Sequence, residues 1–132
     1  MTYKGHRDFE AHSDSPRAAR SFAVDMLRAA GVAAPTQQIA ALVVSELSTN
    51  AIIHTHSAFS LDVEIRDETI RIEVADTSRT LPPRSAVPSS QAHGGRGLAI
   101  VDQLCQSWGA HSVGGNGKIV WGELTREVDD SV

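Results

Sequence analysis

Apolar positions recur in two rhythms along the chain, and the switches between them predict its elements. Ser15 followed by Pro16 reads as an N-cap with proline at the first helical position, after which Ala19, Phe22, Ala23, Met26, Leu27 and Ala30 return at helical spacing until Gly31. A short strand around Phe9 precedes this helix. Pro35 opens a second, longer helix that the pattern carries to about His54, with His56 and Ser57 starting the exit. The period then falls to two. Phe59, Leu61, Val63 and Ile65 alternate with polar residues, Asp67-Glu68 makes a turn, and Ile70, Ile72 and Val74 alternate again, as in a β-hairpin whose second strand runs out at Asp76. Residues 77–95 hold Pro82, Pro83 and Pro88 among serines and glycines with no sustained period, a length typical of a lid or a disordered segment rather than a connector. Gly97 starts a third helix with Leu98, Val101, Leu104, Cys105 and Trp108 on one face. A last hairpin joins 109–113 to 118–125 through Gly114-Gly115-Asn116-Gly117. The order is an α/β alternation.

Within the second helix, Glu46, Asn50 and His54 stand four residues apart. At about 100° per residue all three project to one side, and Ile39, Leu42, Val43, Leu47 and Ile53 fall within about 100° of Glu46. A carboxylate and a carboxamide are therefore expected inside an apolar stripe. Desolvating an ionised carboxylate is costly unless it is paired, so the placement asks for a cation, a ligand or a structural hydrogen-bond partner.

Composition narrows the classes. With 132 residues, 41% of them hydrophobic and 21% charged, the chain suits one soluble globular domain spanning 1–132. No apolar run approaches the roughly 20 residues of a membrane helix. A net charge of −4, without long acidic or basic blocks, argues against a nucleic-acid surface. The amino terminus lacks the apolar core of a secretory signal, and the single Cys105 cannot form an internal disulfide, so a cytoplasmic location is expected.

Two further features carry chemistry. Asp76 closes a strand in Val74-Ala-Asp76-Thr-Ser78, where it can serve as a turn former or point into the gap between sheet and helices. The cluster His93-Gly94-Gly95-Arg96-Gly97-Leu98 precedes a helix, where free amides and the helix dipole suit phosphates. It lacks the third small residue of a dinucleotide fingerprint, and Gly114-Gly-Asn-Gly117-Lys118 lacks the elements of a P-loop. His54 and His56 have no neighbouring third ligand, which excludes zinc.

Taken in order, the Glu46/Asn50 helix, the strand-terminal Asp76, the lid-like loop and the glycine-rich helix start resemble the N, G1 and G2 boxes of the GHKL ATPase superfamily, over about residues 36–125. Glu46-Leu-Ser-Thr-Asn50-Ala, Asp76-Thr-Ser78, Gly95-Arg-Gly97-Leu98, Trp108-Gly and Gly117-Lys118-Ile-Val-Trp121-Gly-Glu123 are similar to the anti-sigma factor serine kinases of the SpoIIAB and RsbW type. Ser78 and Thr80 stand where the G1 box usually has glycines. The resemblance implies the Bergerat fold, an α+β two-layer sandwich whose mixed, mostly antiparallel sheet has helices on one face. It implies ATP and Mg²⁺ as cofactors, with Glu46 as catalytic base, Asn50 on the metal, and Asp76 accepting from the adenine amino group. Amides near Gly94, Gly95, Arg96, Gly97 and Leu98 would take the phosphates, with Ser78 lining the pocket. His54, one turn beyond Asn50, either lines the same pocket or packs as a hydrogen-bonded histidine. The implied function is an ATP-dependent serine kinase that phosphorylates a STAS-type anti-sigma factor antagonist and sequesters a sigma factor, as a homodimer. The alternative is an ATP-binding module that controls a partner without phosphoryl transfer.

Overall fold

The computed structural model describes residues 2–56, 58–77, 93–113 and 117–126, the side chains of 54, 55 and 93–97 excepted. Its elements are β1 (Tyr3–Phe9), α1 (Ser15–Ala29), α2 (Ala34–Thr55), β2 (Phe59–Ile65), β3 (Thr69–Asp76), α3 (His93–Leu104), β4 (Ser107–Ser112) and β5 (Lys118–Thr125). The strands form one sheet in the order β1-β2-β3-β5-β4. Every pairing among the described strands is antiparallel, where a mixed sheet was expected. The fold class is otherwise as expected: an α+β sandwich with helices on one face.

Strict alternation explains the layering. Phe59, Leu61, Val63 and Ile65 of β2 and Ile70, Ile72, Val74 and Asp76 of β3 are buried, while the residues between them are half-buried on the opposite, charged face. On that outer face Arg71 donates to Glu73 at 2.6 Å and to Glu123 at 3.2 Å, and it stacks over Trp121. The helices cover the inner face, α1 against β1 and β2, α2 against β3 and β5, and α3 against β4.

The ends of α1 show which local signals hold. Ser15 is the first residue of the helix and not its cap, because its hydroxyl turns back to donate to the Glu10 carbonyl at 2.7 Å. At the other end Gly31, with φ 80°, donates to Arg28 while Val32 donates to Leu27. These paired bonds, with Val32 and Leu27 both buried, form a Schellman stop, as the glycine promised.

Two expectations are corrected. Trp108 does not extend the apolar face of α3. That helix ends at Leu104, Cys105 makes the last helical bond to Val101, and Gln106 already donates to Glu123 of β5. Trp108 belongs to β4, where it is buried and its indole N–H donates to Asp102 at 2.7 Å. A residue on the inner face of a strand that follows a helix so closely mimics helical spacing. The second correction concerns α2. Ile39, Leu42 and Ile53 are 37%, 42% and 53% exposed, whereas Ala40, Val43, Val44, Leu47 and Ala51 are buried. Apolar residues surround most of this helix, so periodicity alone leaves its inner side open. The small Ala40 and Ala51 lie on the buried side with Val43, Val44 and Leu47.

Candidate functional site

The corrected orientation of α2 changes the environment of Glu46. Ser45 accepts a hydrogen bond from Arg20 of α1 at 3.2 Å, which identifies the α1 flank. Glu46 and Asn50 lie on the other flank, toward α3, which also packs on α2. Glu46 is half-buried at the margin of the core, so its carboxylate is not embedded in the apolar stripe. Asn50 is buried at 8% exposure, and its carboxamide makes no hydrogen bond to another described residue. It is available to a ligand. His54 is in the last turn of α2, but its side chain lies outside the described residues.

Connectivity brings the other candidates to the same end of the sheet. β2 begins at Phe59, closely after α2 ends at Thr55, and Ser60 pairs with Ala75. The C-terminal half of α2, with Asn50, therefore lies over the Asp76 end of β3. β4 begins closely after α3 and pairs Ser107 with Glu123 at the opposite end, so the first turn of α3 is directed back toward Asp76. The glycine cluster is not a loop before this helix, since α3 starts at His93 and contains Gly94, Gly95, Arg96 and Gly97. The first four amides of a helix have no intrahelical partner, and here they are those of His93 through Arg96. Leu98, predicted as a ligand residue, has a buried side chain in the core. Ser78 and the lid predicted over 77–95 lie outside the described residues, save Thr77 and the helical segment from His93.

Asp76 is the most enclosed acidic group here, with its side chain 1% exposed. Facing it in the β3–β5 register is Lys118, 4% exposed, with Nζ 3.5 Å from the carboxylate. Gly117 lets the chain pass this corner, because a Cβ there would fall on the Asp76 carbonyl oxygen. Lys118 stands in the Gly117-Lys118 stretch of the sequence without a site role that spacing could give it. Its signal was a lysine opening a strand directly after a glycine, and its meaning depends on the pairing of β5 with β3.

Three helices over one face of an antiparallel sheet, with an acidic strand end facing the flank of a long helix, define the GHKL class of ATPase fold. The chain belongs to the family of histidine kinase-like ATPase domains, whose model matches residues 9–122. It is similar in fold to the crystal structure of the RsbU and RsbW domains of Rv1364c from Mycobacterium tuberculosis, with a TM-score of 0.72 at 16% identity, over 96% of this chain and 34% of that one. The chain thus spans about a third of that chain's length. A search of curated proteins gives no significant match. No helix among the described residues is long and apolar enough to cross a membrane.

Proposed function

We propose that this domain binds ATP with Mg²⁺ and acts as a serine kinase of the anti-sigma factor type, phosphorylating a STAS-type antagonist and sequestering a sigma factor. The observation that carries the reading is Glu46 and Asn50, one turn apart on the α3-facing flank of α2, above the end of β3 where Asp76 is enclosed. A buried carboxylate at a strand end suits the amino group of adenine. Phosphates suit the free amides of the first turn of α3. Asn50 fits a hydrated Mg²⁺, which takes few protein ligands and keeps waters and phosphate oxygens for the rest. Bound there, the ion would neutralise charge on the phosphates.

Glu46, half-buried and one turn before Asn50, is placed to act as base. In the proposed step its carboxylate takes the proton of the acceptor serine as the hydroxyl oxygen bonds to the γ-phosphorus. The bond from that phosphorus to the β,γ-bridging oxygen breaks, and ADP leaves. His54 and Ser78 complete the proposed nucleotide pocket, and a homodimer completes the assembly. The test is γ-labelled ATP, Mg²⁺ and a cognate antagonist. Wild type should label the antagonist, Glu46→Gln should bind ATP but lose transfer by about 10²-fold or more, and Asn50→Ala should lose both. Binding without transfer by the wild type would replace the kinase with an ATP-binding regulatory module.

A further inference from the structure

Lys118 is a buried cation whose hydrogen-bonding capacity exceeds the contacts around it. An ammonium carries three donors, and burying one without acceptors is costly. Among the described residues its polar contact is the Asp76 carboxylate, at 3.5 Å, which is an ion-pair distance longer than a good hydrogen bond. The residue as a whole is 3% exposed, so water does not readily supply the missing acceptors. Lys118 sits on the same inner face of the sheet as Asp76, directly across the register and at the end toward which α2 and α3 converge. A carboxylate beside an ammonium presents an acceptor next to a donor. Adenine presents the complement, since its exocyclic amino group is flanked by ring nitrogens that accept.

We propose that Lys118 is a second base-reading residue, donating a hydrogen bond to the ring nitrogen beside the amino group that Asp76 accepts. This rests on the nucleotide reading above and extends it from one contact to a paired readout. The ion pair then has two functions. It orients the Asp76 carboxylate before the base arrives, and it offers the ammonium to the base once it is seated. A structural counterion would serve only the first.

The experiment compares ATP, 1-deaza-ATP and 7-deaza-ATP by calorimetric titration, because each analogue replaces one ring nitrogen with a carbon that cannot accept. Wild type should bind one of the two about tenfold or more weakly than ATP, the size expected for a lost bond from a charged donor. In Lys118→Met, whose side chain has no N–H or O–H to donate, ATP affinity should fall by a similar factor and the penalty on that analogue should shrink toward none. Lys118→Arg, which keeps a charged donor, should retain part of the penalty. The wild-type comparison needs no variant and holds even if a substitution unfolds the chain. Equal binding of all three nucleotides by wild type, or a penalty unchanged in Lys118→Met, overturns the proposal while leaving the ATP site intact. No ATP binding by wild type removes the nucleotide reading and this proposal with it.

Discussion

Breaking the Asp76–Lys118 pair should cost far more than its single contact suggests. At 3.5 Å the attraction between unit charges is about 5 kcal/mol at an effective dielectric of about 20, while desolvating both groups costs a comparable amount. The intact pair therefore adds little net stability, but either partner left alone keeps its burial cost without the attraction. Lys118→Met and Asp76→Asn should each destabilise by about 3–5 kcal/mol, and the double variant by about 1 kcal/mol or less. Urea unfolding followed by circular dichroism measures this. With a slope of about 1–3 kcal/mol per molar, each single variant should lower the midpoint by about 2 M and the double should recover most of it. Single shifts below about 1 kcal/mol that simply add would refute the reasoning, because that is how a solvated surface pair behaves.

Gly122 of β5 faces the helices, and a Cβ there would lie 2.7 Å from the Cys105 sulfur, with Val43 and Val101 behind it. Gly122→Ala should destabilise by about 1–3 kcal/mol through overpacking, and adding Cys105→Ala should restore part of the loss in the same urea assay. The Cys105 thiol, pushed up to about 11 chiefly by burial, should react slowly with iodoacetamide at pH 8 in the native protein and rapidly in denaturant. Fast native labelling would mean that α3 opens readily. On the outer face the His6 imidazole is raised above 6.5, first by its hydrogen bond to Asp62 and then by that charge and Asp8. A raised native value contributes stability that is complete below pH 6.5 and fades as pH rises through the native value. Thermal unfolding of wild type and Asp62→Asn should therefore differ more at pH 5.5 than at pH 8.5. A constant difference would contradict the assignment.

Elements whose signal is local were legible in the chain. The alternation in β2 and β3, the Pro35 start of α2 and the Gly31 stop of α1 each depend on a few adjacent residues, and each is found where expected. The inner face of α2 was not legible, since Ile39, Leu42 and Ile53 are as apolar as the residues actually buried. Only the packing of α2 against its neighbours in the fold separates them. The start of α3 was misplaced because glycines usually end helices or loosen them, whereas here they occupy its first turn. Among candidate site residues, Glu46, Asn50 and Asp76 were visible as polar groups in apolar patterns. Lys118 was invisible as a site residue because its partner lies across a strand pairing that spacing does not report.

The most direct test of an ATP site built on Asp76 is calorimetric titration of ATP, with Mg²⁺, into wild type and Asp76→Asn under conditions where both are folded. The account predicts measurable binding by wild type and a loss of about tenfold or more in Asp76→Asn, because an acceptor for the adenine amino group is weakened and partly turned into a donor. Equal affinity of the two proteins would contradict it.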